Sequence, residues 1–142
     1  MVKTKLRKPT FKYIENELRN YHNTLREIGA LQEEIMYPYR NEKPNTAPGY
    51  NSARVPDDPT GRMGIRLANH KELKYLEGVT NAIKNVYESS PEEYQKLIRT
   101  RYWTNKRLNW DGIALELNVS RRQAIRWRDE IVETIANTIG MK

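Results

Sequence analysis

The sequence contains no cysteine, which excludes disulfides, zinc–thiolate sites and thiol nucleophiles. It has only two histidines, His22 and His70, and neither sits in a metal-ligand pattern. No metal and no other cofactor is expected. No apolar run exceeds three residues, so nothing reads as a membrane-spanning helix. The amino-terminal stretch MVKTKLRKPT is basic but has no apolar segment behind it, unlike a secretory signal. A cytoplasmic protein is expected. Period-two alternation of strand formers never lasts four residues, which argues against a sheet.

What the chain does have is charge and helical periodicity. It has 142 residues, of which 37% are hydrophobic and 30% charged. That suits one domain, or one domain with a small appendage, built from elongated helices rather than around a large core. The formal net charge is +7, and it is unevenly spread. Residues 1–12 carry five Lys/Arg and no acids, while residues 13–95 carry ten against thirteen. Residues 96–128 carry nine against two, Asp111 and Glu116. Positive charge gathered in a short arm and one block is the footprint of a nucleic-acid binder, although a solvated basic face is the plainer reading.

A first helix is expected over residues 10–36, opening at Thr10. Phe11, Ile14, Leu18, Tyr21, Leu25, Ile28 and Ile35 recur in steps of three and four, broken only at Gln32. This heptad seam must pack on another helix of the chain or on a second copy. Pro38 ends it. Residues 38–60 hold five of the seven prolines and read as a loop. A second long helix is expected from about Thr60 to Ser89, with Leu67, Leu73, Leu76, Thr80, Ile83 and Tyr87 along its stripe. A third should run from Pro91 to Trp103, with a serine as cap and Glu92 and Glu93 in its first turn.

The chemistry-bearing stretch is NWDGIALELNVSRRQAIRWRDEIVETI, residues 109–135. Trp110, Ile113, Ala114 and Leu117 line one face of a short helix. Asn118 and Val119 make a tight turn, because Asn tolerates the left-handed conformation. Ser120 caps a following helix whose Ala124, Trp127, Ile131 and Ile135 face inward. Two helices, a short turn and a small residue at Ala114 are the parts of a helix-turn-helix. Its outward residues are Arg121, Arg122, Gln123, Ile125 and Arg126, at the end that would enter a major groove. Arginine reads guanine and glutamine reads adenine through paired hydrogen bonds. Thr104, Asn105, Lys106 and Arg107 precede the motif in a loop suited to phosphates. The candidate DNA-binding residues are therefore Ser120, Arg121, Arg122, Gln123, Arg126, Thr104, Lys106 and Arg107. Tyr102, Trp103, Trp110 and Trp127 are read as core rather than as base-stacking residues. An enzyme would need clustered carboxylates or a nucleophile near the basic block. Asp111 caps a helix dipole and Glu116 is alone, so no catalysis is expected.

With these residues read, the chain resembles the RinA-like transcriptional activators of Gram-positive phages and prophages. The resemblance rests on FKYIENELRNYHNTLREIGALQEEIM, the Pro/Asn-rich loop, HKELKYLEGVTNAIKNVY and WDGIALELNVSRRQAIRWRDEI. The stretch IALELNVSRRQAIRWRDEIVETI is also similar to sigma-factor region 4, with Asn118 where related motifs often have glycine. The resemblance implies promoter binding that switches on late phage genes in the bacterial host, at the nucleoid. It implies double-stranded DNA as partner, and leaves contact with RNA polymerase open. A homo-oligomer is expected from the seam. The alternative is a terminase small subunit that recognises phage DNA for packaging.

The expected fold is all-α: a long amino-terminal helical hairpin or coiled coil joined to a carboxy-terminal helix-turn-helix. The expected division is 1–37 arm and long helix, 38–60 loop, 61–89 second long helix, and 90–142 DNA-binding domain.

Overall fold

A computed structural model of the protein describes residues 6–37 and 59–141. Its helices are α1 (Lys8–Arg19), α2 (Tyr21–Met36), α3 (Pro59–Ser89), α4 (Glu92–Tyr102), α5 (Trp110–Leu117) and α6 (Arg121–Ile139). There is no strand among the described residues, so the fold is all-α. None of their helices is long and apolar enough to cross a membrane. Residues 38–58, most of the expected loop, lie outside the described residues.

The seam over residues 10–36 forms two helices rather than one. Asn20 stands between them at φ −90°, ψ 4°. Its side chain competes for backbone partners, which makes asparagine a poor helix interior. The interruption is local, because the Asn20 N–H still donates to the Asn16 carbonyl at 3.0 Å. The start also differs: α1 opens at Lys8 with Pro9 inside its first turn, so Thr10 is not the cap. A missing N–H costs nothing at that position. Ile14, Leu18, Tyr21 and Ile28 of the seam are buried, but Leu25 is 42% exposed. Thr24 is buried in its place.

The described chain groups into two compact units: Met1–His22 with Gly78–Lys142, and Asn23–Glu77. This division differs from one falling at residues 89 and 90. The reason is a single hydrophobic cluster. Ile14 and Leu18 of α1, Ile83 and Val86 of α3, Leu97 and Ile98 of α4, Ile113 of α5, and Ile131 and Ile135 of α6 belong to it together. Each such side chain contributes about 1.5–3 kcal/mol when fully buried. The carboxy-terminal helices therefore share their core with α1 and the end of α3. In the first half of α3 the expected stripe is less covered: Leu67 is 59% exposed.

The start of α4 also departs from expectation. Pro91 occupies the cap position and makes no side-chain cap bond. The Ser89 hydroxyl donates to the Asn85 carbonyl at 2.7 Å, and the Ser90 hydroxyl to the Val86 carbonyl. Both serines thus satisfy the end of α3 instead of capping α4. Glu92 and Glu93 occupy the first turn as expected, where they meet the positive helix end.

Candidate nucleic-acid interface

α5 and α6 pack against each other. The cap of α5 is Asn109, whose side chain accepts from the Gly112 N–H at 2.9 Å. A Cβ at Gly112 would sit 3.3 Å from that same side-chain oxygen, so glycine suits the approach. At the other end Asn118 adopts φ 55°, ψ 42°, in the left-handed region. Its N–H donates to the Leu115 carbonyl at 3.3 Å, and the Val119 N–H to the Ala114 carbonyl at 3.1 Å. This pair of bonds closes a helix end and turns the chain sharply. Val119 packs half-buried against the core. Ser120 then caps α6, accepting from the Gln123 N–H at 3.0 Å. Ala114 and Ala124 are both buried, one on each helix of the pair.

The cap leaves the first turn of α6 facing outward. Arg121, Arg122 and Arg126 are exposed, and Gln123 and Ile125 are half-buried. Arg121 Nε lies 3.9 Å from Asp111 Oδ1, with both side chains largely in solvent. Such a pair contributes little. Arg122 and Arg126 have no ion-pair partner among the described residues. In the loop between α4 and α5, Thr104, Asn105, Lys106 and Arg107 are exposed. The Thr104 hydroxyl donates to the Thr100 carbonyl at 3.0 Å, so its proton is already engaged.

Three of the nine cations in residues 96–128 are not available to a ligand. Arg99 donates to Glu92 at 2.8 Å and to the Tyr87 hydroxyl at 2.6 Å. Arg101 and Arg128 each reach Glu15 of α1 at 3.3 Å, and the Tyr102 hydroxyl donates to the same carboxylate at 2.7 Å. Burial pushes the Glu15 carboxyl up, but the Tyr102 bond and the charges of Arg128 and Arg101 outweigh it. The net position is below the usual carboxylate value. Both guanidinium groups also lie over the Trp110 ring, Arg101 at 4.2 Å and Arg128 at 4.9 Å. Charge–π attraction thereby ties the first residue of α5 into the cluster.

Sequence reasoning missed this cluster, although a signal existed. Arg101 falls on the apolar side of α4, and Arg128 lies between Ala124 and Ile131 on the inward side of α6. Two arginines at inward positions require an acid. The cations left facing solvent in the block are Lys96, Lys106, Arg107, Arg121, Arg122 and Arg126.

Tyr102, Trp103, Trp110 and Trp127 are engaged within the protein. Trp103 donates to the Leu18 carbonyl at 2.9 Å and stacks on Tyr21 at 5.2 Å. Trp127 stacks on Tyr94 at 5.3 Å, and the Tyr94 hydroxyl donates to Glu130. Burial and that carboxylate push the Tyr94 phenol up to about 12. These rings already spend on one another the faces that base stacking would use.

Residues 11–137 match the family described as "Protein of unknown function (DUF722)". The chain belongs to this family. The matched span reaches from Phe11 in α1 almost to the end of α6, so it includes both the Glu15 cluster and the turn at Asn118. Among curated proteins, the family member here is similar to "Transcriptional activator rinA" of Staphylococcus phage phi11. The two are 26% identical over 139 residues, covering 95% of this chain and 94% of that protein. The resemblance to RinA-like phage activators thus extends over nearly the whole chain. No solved structure matches.

Proposed function

We propose that this protein is a phage transcriptional activator that binds promoter DNA through α5, the Asn118–Ser120 turn and α6. The carrying observation is the outward start of α6. Ser120 caps it, and Arg122 and Arg126 project from it without an ion-pair partner among the described residues. A helix start presented this way fits a major groove. Arg121, Arg122, Gln123 and Arg126 are the candidate base readers. Lys106 and Arg107 are the candidate phosphate contacts, and Thr104 contributes its place in the loop more than its hydroxyl. The similarity to a phage activator supports promoters over packaging sites as the target. The protein acts by binding rather than catalysis, in the host cytoplasm at the nucleoid, with RNA polymerase as the further partner.

The test is binding of the full chain to phage promoter fragments, read by fluorescence anisotropy at several salt concentrations, beside transcription from the same promoters. Affinity should fall steeply with salt, because neutralised phosphates release counterions. Added protein should raise transcript levels. Specific binding to packaging-site DNA, with no effect on transcription, would favour a terminase role instead.

A further inference from the structure

We infer that the DNA interface extends onto the amino-terminal helix: Arg19, at the end of α1, contacts the phosphate backbone beside the loop of Thr104, Asn105, Lys106 and Arg107. This rests on the DNA reading above and adds to it a positioning contact from a helix outside the helix-turn-helix. Binding by the wild type tests the first reading and substitution of Arg19 tests the second, so the two failures look different.

The end of α1 is pinned at the root of that loop. The Trp103 indole N–H donates to the Leu18 carbonyl at 2.9 Å. The Trp103 ring stacks on Tyr21 at 5.2 Å and meets the His22 ring edge-on at 5.0 Å. Trp103 is the residue that closes α4, and Thr104 follows it directly. The Thr104 hydroxyl also lies 3.4 Å from the Lys106 carbonyl, so the loop folds back on its own start. α1, α4 and the loop belong to one compact unit.

Arg19 is presented rather than spent. Its guanidinium carbon lies 5.6 Å from the centre of the Tyr102 ring. That ring is buried, and its hydroxyl is held by Glu15, so it gives Arg19 a fixed platform. Arg19 is exposed and has no ion-pair partner among the described residues. Glu15 is engaged by Arg101, Arg128 and Tyr102. The charge of Glu88 on α3 reaches Tyr21, but no ion pair among the described residues joins Glu88 to Arg19.

The neighbouring loop selects a phosphate backbone as the partner. Lys106 and Arg107 are exposed there, likewise without an ion-pair partner among the described residues. A guanidinium backed by a ring keeps its outer N–H groups free, and their fork matches phosphate oxygens. Contacts of this kind fix a reader on the duplex without reading sequence. Lys12, two turns earlier on α1 and about 10 Å away, differs. It borders a pocket with Asp129 and Glu133, which balance its charge.

The experiment is fluorescence anisotropy of the full chain with a phage promoter duplex and a scrambled duplex of equal length. It is run at several salt concentrations, with circular dichroism to check the fold. Arg19→Ala should weaken binding to both duplexes by about fivefold near physiological salt. It should lower the salt slope by about one unit, since one phosphate fewer is neutralised. Arg19→Lys should keep the slope, and Lys12→Ala should behave as the wild type. Arg19→Ala with Lys106→Ala should lower the slope by about two units, because separate contacts add. An unchanged slope in Arg19→Ala, or an equal loss in Lys12→Ala, would overturn the contact and leave DNA binding standing. A loss confined to the promoter duplex would make Arg19 a base reader and overturn it as a backbone contact. A wild type without salt-sensitive binding would overturn the DNA reading and this contact with it.

Discussion

Glu15 on α1 accepts a 3.3 Å hydrogen bond from Arg128 on α6, which joins the amino-terminal helix to the helix bearing the candidate base readers. The same carboxylate serves Arg101 and Tyr102 of α4. Its side chain is 12% exposed, so the cluster lies largely out of water. A buried carboxylate with two guanidinium partners fixes orientation more than it adds net stability, but breaking it is costly. The Arg101 Nε is buried without a partner, a further sign that this site is constrained.

Glu15→Gln should therefore destabilise the protein by about 2–3 kcal/mol at neutral pH, because Arg101 and Arg128 lose their counter-charge. The pH dependence has a definite sign. The folded carboxyl sits below its ordinary value of 4.5, so its stabilisation is complete above that value. It is lost as pH falls through the folded value. Urea unfolding at neutral pH and near pH 3 checks this. The wild type should lose more stability on acidification than Glu15→Gln. Equal losses would mean that other carboxylates set the acid response.

A fragment comprising residues 90–142 should not fold cooperatively. Its helices pack against Ile14, Leu18, Ile83 and Val86, all of which the fragment lacks. Removing several buried aliphatic partners costs more than the roughly 5–15 kcal/mol by which a typical domain is stable. Thermal melting followed by circular dichroism should give a broad, weak transition for the fragment and a sharp one for the full chain. A sharp transition in the fragment would show that α4–α6 suffice.

The helices and most of their inward faces are legible in the sequence because periodicity survives without tertiary knowledge. Spacing marks Ile14, Leu18, Ile113, Ala124, Ile131 and Ile135 as inward, and all are buried. The turn at Asn118 and the cap at Ser120 are legible because each is a local matter of one residue type at one place. The break at Asn20 is not, since asparagine occurs inside helices as well as between them. The serines before α4 mislead because Ser-Pro-Glu-Glu fits a cap, while the bonds back into α3 depend on side-chain rotamers. The shared core is hidden for a different reason. Which apolar stripe meets which is decided by non-local packing, and a seam in α1 reads the same whether it faces α6 or another chain. The arginines of the Glu15 cluster count with the free positive charge for the same reason.

Asn118 should tolerate glycine and reject β-branched residues. Its φ of 55° is one that glycine adopts freely and asparagine tolerates. Asn118→Gly should change stability by no more than about 0.5 kcal/mol. Asn118→Val should cost about 1–2 kcal/mol from backbone strain. Ser120→Ala should cost about 1 kcal/mol by leaving the Gln123 N–H without its side-chain acceptor. Denaturant midpoints compare the three. A valine variant as stable as the glycine variant would mean that the turn relaxes to another conformation.

Arg122→Ala and Arg126→Ala should lose sequence discrimination, whereas Lys106→Ala should lose affinity evenly across sequences. Arg122 and Arg126 are four residues apart on α6 and share its exposed face, away from buried Ala124 and Ile131. A base-reading arginine is worth about 1–3 kcal/mol against a wrong base pair. Lys106 projects from the loop before α5, and its removal should lower the salt slope by about one unit. Arg128→Ala is the informative contrast. Its guanidinium is spent on Glu15, Asp129 and the Trp110 ring, so it should reduce stability without changing discrimination. Binding to specific and scrambled promoter fragments at two salt concentrations measures all four variants. If Arg122→Ala and Arg126→Ala weaken both fragments equally, α6 is an electrostatic anchor. Discrimination would then have to come from another segment, and the basic arm with Lys3, Lys5, Arg7 and Lys8 is the next to substitute.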